Sequence, residues 1–103
     1  MSKLLLSLVI MLCGAALLSS FTASASSIKT VRVKDSVFAP SAISVSKGSK
    51  LRFVWVGKLP HNLVGGGVNY SSRTHGSVTI KVNRSATYVC QLHNGMKLKV
   101  TAR

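Results

Sequence analysis

Acidic residues are almost missing from this chain. Asp35 is its single Asp or Glu, against 14 Lys and Arg residues, and the formal net charge is +13. Because there is no glutamate and no serine can be assigned both a base and an orienting acid, we expect no catalytic constellation and no enzyme. Charged residues make up only 15% of the chain, so the charge reflects missing acids more than a dense basic run, and we expect no nucleic-acid partner.

Long apolar runs are also missing, apart from one at the N-terminus. Lys3 precedes the apolar stretch of residues 4–18, and Ala23-Ser24-Ala25 is a small-x-small cleavage site. This pattern predicts a secretory signal peptide over residues 1–25, because the stretch is short for a membrane span of about 20 residues. The alternative is an uncleaved anchor. We expect a single exported domain over residues 26–103, periplasmic or secreted, with no transmembrane segment.

Cysteine is scarce, and its scarcity excludes an internal disulfide. The chain has two cysteines, and Cys13 lies within the predicted signal peptide, so Cys90 is left alone. A domain of this size is near the limit of independent stability, and a hydrophobic content of 47% still argues against a disordered basic tail. An unpaired cysteine in an oxidising compartment indicates a reactive thiol, an intermolecular bridge or a metal ligand.

Hydrophobic residues in the remainder of the chain recur with a period of two, as in strands that bury one face. Runs of this kind cover residues 31–34, 51–56, 78–83 and 97–101, with shorter ones at 43–45 and 87–90. Turn-forming residues separate the runs, and no segment has a helical pattern. The sequence therefore predicts an all-β fold, a small antiparallel sandwich or barrel.

Four side chains have the chemistry of metal ligands. Cys90, His93 and Met96 follow one another at three-residue intervals between two predicted strands, and His61 lies on the predicted loop after residues 51–55. Two imidazoles, a thiolate and a thioether form the donor set of a blue copper site, with methionine in the axial position. Zinc is the main competitor, although methionine adds little to a zinc site.

The chain resembles the cupredoxins, the small blue copper proteins, and most closely their plastocyanin, amicyanin and pseudoazurin-like group. The resemblance covers nearly all of residues 26–103, and the Cys-x-x-His-x-x-Met spacing is similar to that of the amicyanin type. The matching residues are Phe38-Ala39-Pro40, Ile43, Val45, Gly48, Phe53, Trp55, Pro60-His61-Asn62 and Tyr88-Val89-Cys90.

This resemblance implies a Greek-key sandwich that holds one type 1 copper ion. His61, Cys90 and His93 would be its equatorial ligands and Met96 its axial ligand. Asn62 would direct its backbone N–H at the Cys90 sulfur and join the two ligand loops through its side chain. The chain departs from the family at Ala86, a common glycine position, and at Leu92 and Asn94, where amicyanin-type loops carry proline.

Other residues have simpler interpretations. His75 matches no family position and is expected to be a solvated loop histidine. The three glycines at 65–67 lack the strand–helix setting of a phosphate loop and are expected to form a flexible turn. The two tyrosines and Trp55 are expected to pack in the core or in loops, because no basic and aromatic stripe surrounds them.

The family's electron exit is the ring edge of the C-terminal-loop histidine, here His93. We expect a docking patch around it made of Leu59, Leu63 and Leu92, rimmed by Lys58, Lys97 and Lys99. The implied function is one-electron transfer by a monomer that keeps its copper ion bound while the ion cycles between Cu(I) and Cu(II). The positive charge favours an acidic redox partner, such as a cytochrome or a periplasmic dehydrogenase or reductase. The charges have two other uses to weigh, solubility and a weak attraction to anionic membranes.

Two other functional classes stay open at the level of sequence. The first is a periplasmic copper carrier or storage protein without redox turnover, which the scarcity of methionine and histidine after residue 25 disfavours. The second is a cationic secreted binder of membranes or nucleic acid that keeps a sandwich fold. Copper-independent binding would identify the second class.

Overall fold

The computed structural model describes residues 27–103, which form nine β-strands and no helix. The predicted signal peptide, residues 1–25, lies outside the described residues. Within them, no helix is long and apolar enough to cross a membrane. The strands are β1 (Ile28–Lys34), β2 (Val37–Ala39), β3 (Ala42–Val45), β4 (Ser49–Trp55), β5 (His61–Gly65), β6 (Val68–Arg73), β7 (Ser77–Val82), β8 (Ala86–Val89) and β9 (Lys97–Ala102).

The strands build two sheets that enclose one core. The four-stranded sheet has the order β2-β1-β4-β7, and the five-stranded sheet has the order β3-β9-β8-β5-β6. Period-two alternation sends one set of side chains inward: in β4, Leu51, Phe53 and Trp55 are buried, while Lys50 and Arg52 are exposed. The rings of Phe53 and Tyr88 lie 5.7 Å apart and connect the inner faces of the two sheets.

The predicted all-β sandwich is confirmed, but the expectation of purely antiparallel sheets is wrong, because both sheets are mixed. Two of the pairings in the described region are parallel: β1 with β4, in which Val31 lies opposite Phe53, and β3 with β9, in which Ile43 lies opposite Val100. The other five pairings are antiparallel. Parallel neighbours need a crossover connection, and here β2 and β3 carry the chain from one sheet to the other between β1 and β4.

The hairpin of β5 and β6 was not predicted, because its strands are short and rich in polar residues. It lies where a loop and a flexible turn were expected, and His61 is the first residue of β5. The glycines between the strands have a steric role. Gly66 has a φ of +55°, and a Cβ on Gly65 would collide with the Thr87 carbonyl of β8. These glycines allow the hairpin to turn tightly against its neighbouring strand.

The outward positions of the four-stranded sheet carry an array of positive charge, here called the cationic face. Lys50 and Lys81 are directly opposite each other on β4 and β7. Like charges in such positions repel and destabilise the strand pair. The members of the cationic face, all exposed, are Arg32, Lys34, Lys50, Arg52 and Lys81.

Replacing one member of the opposed pair with an acid is expected to stabilise the fold. Lys81→Glu converts a repulsive cross-strand pair into an attractive one and should raise the free energy of unfolding by roughly 0.2–1 kcal/mol. Urea denaturation at low salt measures the change. The control Lys81→Gln removes the repulsion alone and should give a smaller gain. An unfolding midpoint that is unchanged or lower in Lys81→Glu would show that the pair does not interact.

Candidate metal centre

Three of the four predicted donors meet at one end of the sandwich. The Cys90 sulfur lies 3.7 Å from Nδ1 of His61 and 3.5 Å from Nδ1 of His93. The two imidazole rings are 4.5 Å apart between centroids. One donor atom from each of the three residues lies within 4.8 Å of the other two. His61 and Cys90 are buried, while His93 is partly exposed.

Strand pairing explains how residues 29 positions apart reach the same place. β5 and β8 are antiparallel neighbours in which Val64 lies opposite Val89. The beginning of β5, where His61 lies, is therefore beside the end of β8, which Cys90 follows immediately. The sequence predicted this convergence only in general terms, because it did not show which strands are neighbours.

The spacing of the donor atoms fits a bound metal ion. A metal bound to a thiolate at about 2.3 Å and to an imidazole nitrogen at about 2.0–2.1 Å, with an angle between tetrahedral and trigonal, separates sulfur from nitrogen by roughly 3.5–3.8 Å. The observed distances of 3.5 and 3.7 Å fall in this range. Both histidines present Nδ1 to the sulfur, at distances that one shared ion would require.

The loop that carries Cys90 and His93 closes on itself through backbone hydrogen bonds. The Cys90 N–H donates to the Met96 carbonyl at 3.1 Å, and the Met96 N–H donates to the His93 carbonyl at 3.3 Å. Gly95 has a φ of +78°, which lets the chain reverse before β9. Met96 is fully buried beside this loop, among the core residues.

The single acid of the chain supports His61 from the side away from the sulfur. Asp35 lies in the turn between β1 and β2, and its carboxylate is 3.0 Å from Nε2 of His61. Because an ionised carboxylate only accepts hydrogen bonds, Nε2 carries the proton and Nδ1 keeps a free lone pair. This contact therefore selects the tautomer that a metal at Nδ1 requires. No role was predicted for Asp35, although its being the only acid was a signal.

Backbone donors keep the Asp35 carboxylate ionised. It accepts hydrogen bonds from the N–H groups of Lys58, at 3.0 Å, and Leu59, at 2.9 Å. These bonds, followed by the contact with His61, lower the pKa of Asp35 from 3.8 to about 2. Gly57 makes the approach possible, since a Cβ there would collide with the carboxylate. Asp35 is therefore negatively charged at neutral and mildly acidic pH.

Trp55 fixes the backbone of His61. The buried Trp55 side chain donates its Nε1–H to the His61 carbonyl at 2.9 Å. The guanidinium of Arg73, which lies opposite His61 on β6, is 5.3 Å from the centre of the indole ring, a cation–π distance. The histidine is thus held by its ring on one side and by its carbonyl on the other.

Asn62 joins the two segments that carry the donors. Its side-chain Nδ2 donates to Oε1 of Gln91 at 3.1 Å, and its side-chain Oδ1 accepts from the Gln91 backbone N–H at 2.8 Å. Gln91 directly follows Cys90, so this pair of hydrogen bonds fixes the β5 segment relative to the ligand loop. The residues beside the donors are therefore joined by hydrogen bonds that do not depend on a metal.

One member of the predicted docking patch is misplaced. Leu63 points into the core and is fully buried, because it alternates inward with His61 along β5, so it contributes no surface. Leu59 and Leu92 are 47% and 53% exposed, as a docking surface requires. Lys58, Lys97, Lys99 and His75 are exposed.

Comparisons with known proteins give no match by sequence and clear matches by structure. No family model matches the chain, and no curated protein matches it. Plastocyanin from Dryopteris crassirhizoma superposes with a TM-score of 0.59 and 25% identity over 72% of this chain and 99% of the plastocyanin. A purple cupredoxin from Nitrosopumilus maritimus gives a TM-score of 0.65 and 13% identity over 73% and 99% of the two chains.

A third similar structure is an enzyme with a longer chain. A Cu-containing nitrite reductase from Thermus scotoductus gives a TM-score of 0.61 and 19% identity over 73% of this chain, which spans 22% of the reductase. The similarity to all three is therefore one of fold. The chain has the cupredoxin fold, and its cluster of His61, Cys90 and His93 fits a type 1 copper site.

Proposed function

We propose that this protein is a one-electron carrier with a single type 1 copper ion. The observation that carries the proposal is the convergence of two Nδ1 atoms on the Cys90 sulfur at 3.5 and 3.7 Å, inside a cupredoxin fold. His61, Cys90 and His93 would supply the strong ligands, and the buried Met96 would supply a weak thioether ligand. Bound copper would supply the cupric/cuprous couple.

The protein's part in electron transfer is to keep its ligands still. Asp35 and Trp55 hold the two ends of His61, and the Asn62–Gln91 pair holds the ligand loop. Ligands fixed in this way change position little when the charge of the site changes, and little rearrangement favours fast transfer. An approach of the Asn62 backbone N–H to the Cys90 sulfur would tune the potential further and stays a prediction.

The surface around the site favours transfer to a protein over catalysis. Four protein ligands would leave no open position for a substrate. His93 is the one partly exposed donor of the cluster, and Leu59 and Leu92 offer exposed apolar side chains for contact. With Lys58, Lys97 and Lys99 near this end, the proposed partner is an acidic redox protein met by the exported monomer.

Copper loading tests the class of site. Adding Cu(II) to the purified protein should give an intense visible thiolate-to-copper band that bleaches on reduction. Cys90→Ser should abolish the band, because the thiolate is the donor of the transition, whereas the control His75→Ala should leave it unchanged. Colourless copper-loaded protein would refute a type 1 site. Copper that passes to an acceptor without reversible redox cycling would identify a carrier instead.

Removing the charge of Asp35 should weaken copper binding. Asp35→Asn places an amide where the carboxylate accepts from Nε2 of His61, so the tautomer is less strongly fixed and copper affinity should fall roughly 10–100-fold. Competition with a chelator measures the affinity. Equal affinities for wild type and Asp35→Asn, with unfolding curves showing that both are folded, would contradict this role.

Asp35→Asn should also change how the free energy of unfolding depends on pH. Because the folded-state pKa of Asp35 is lowered to about 2, the carboxylate stabilises the fold above its ordinary pKa of 3.8. The stability advantage of wild type over Asp35→Asn should therefore be constant near neutral pH and be lost as the pH falls from 3.8 through about 2. Denaturation of metal-free protein at several pH values measures it.

Charge reversal beside the ligand loop should slow the reaction with an acidic partner. Lys97→Glu/Lys99→Glu should lower the rate of electron transfer and flatten its dependence on salt, because electrostatic steering is lost. The matched control is Lys47→Glu/Arg103→Glu, which changes the net charge by the same amount. These two residues are hydrogen-bonded through their backbones beside the start of β4, away from the ligand loop. Equal effects of both pairs would assign the steering to net charge alone.

A further inference from the structure

The cationic face is a compact array fixed by strand register. Lys50 lies opposite Lys81, and Arg52 lies opposite Thr79 on β7 and Thr30 on β1. Neighbouring strands are about 4.8 Å apart and alternate residues about 6.6 Å apart, so the five cations share an area of roughly 10 by 20 Å. Each lies within about one Debye length of a neighbour at physiological salt, so their repulsion is not screened away.

Nothing in the described part of the chain neutralises this array. The only acid of the sequence, Asp35, is engaged with His61 and with the N–H groups of Lys58 and Leu59. The sole ion pair found in residues 27–103 is that between Asp35 and His61. An external anion is therefore the available source of compensating charge.

The opposite side of the sandwich has a different surface. Along β9, β8 and β3, the outward residues include Lys97 and Lys99 together with small or polar side chains such as Ser44 and Thr87. The four-stranded sheet thus carries five outward basic residues, against two on these three strands. Arg73 of β6 is partly buried over the Trp55 ring. Solubility alone does not require such a difference between two faces.

Exposed aliphatic residues lie within the same face. Ile28 is 61% exposed and pairs in register with Lys50, and Val37 is 48% exposed and pairs with Lys34. They flank the array at its two ends, since β1 begins at Ile28 and ends at Lys34. Basic side chains mixed with exposed aliphatic ones are typical of surfaces that lie at a lipid–water interface. A nucleic acid backbone offers no partner for the aliphatic groups.

We propose that the cationic face docks the protein onto an anionic phospholipid bilayer. The basic side chains contact the lipid phosphates, while Ile28 and Val37 enter the headgroup region. Docking removes the repulsion between Lys50 and Lys81 that the fold otherwise retains. The lipid surface would be that of a membrane met after export, and this interaction needs no metal.

The orientation suits the proposed function, on which this consequence rests. Cys90, His93 and Met96 lie on the loop that joins β8 and β9, two neighbouring strands of the five-stranded sheet. With the four-stranded sheet against the bilayer, this loop and its lysines remain open to a soluble or membrane-bound redox partner. Diffusion is then confined to the membrane surface.

Vesicle sedimentation with matched variants tests the docking. Protein recovered from a periplasmic extract is mixed at physiological salt with vesicles of phosphatidylcholine alone or with 30% phosphatidylglycerol. Binding should require phosphatidylglycerol. Lys50→Gln/Lys81→Gln should weaken it by roughly fivefold for each charge removed. The control Lys97→Gln/Lys99→Gln loses the same charge from the opposite face and should bind within about twofold of wild type.

Three further variants separate this mechanism from others. Ile28→Ser/Val37→Ser should weaken vesicle binding without changing the affinity for a short DNA duplex. Lys81→Glu should weaken vesicle binding while raising the melting temperature. Cys90→Ser should bind vesicles like wild type. The copper proposal and the membrane-docking proposal can therefore fail independently of each other.

Several outcomes would overturn the proposal. Equal losses in the two lysine-pair variants would reduce the effect to net charge. Binding to neutral vesicles as strong as to anionic ones would exclude an electrostatic face. Tighter binding to the DNA duplex than to anionic vesicles, with no effect of Ile28→Ser/Val37→Ser on either, would identify a nucleic acid surface instead.

Discussion

The antiparallel pairing of β5 with β8 is the constraint on which the chemistry of this protein depends. It places the beginning of one strand beside the end of the other, and so brings His61 to the Cys90 sulfur across a long stretch of sequence. The glycine turn after β5 allows that pairing, because Gly65 lies against the backbone of Thr87. The site is therefore a product of sheet geometry more than of the ligand loop alone.

The scarcity of acids gives the one carboxylate unusual importance. Asp35 joins the β1–β2 turn, the segment before β5 and the His61 ring of the candidate metal cluster through a single side chain. Every other charged side chain is basic, and strand register assembles five of them on one sheet. The two features are connected: because the only acid of the sequence contacts His61, no carboxylate side chain is left to pair with the cationic face.

Sequence periodicity was sufficient for the strongly alternating strands and failed for the weak ones. β4, β7 and β9 bury two or more large hydrophobic residues on one face, so their pattern is clear in the sequence. β5 and β6 contain asparagine, serine and glycine, and they are strands because their neighbours supply hydrogen bonds. The inward direction of Leu63 follows from β5, so the error over the docking patch had the same origin as the missed strand.

The sequence by itself determined the donor chemistry: a thiolate, two imidazoles and a thioether at fixed spacing, in a strand-rich chain almost without acids. Such properties are local, since they depend on residue type and on short-range periodicity. Only the tertiary structure decided that Asp35 supports His61, that Leu63 is buried, and that the cations of β1, β4 and β7 share a face. These depend on which strands are neighbours and in what register, and that information is contained in long-range pairing.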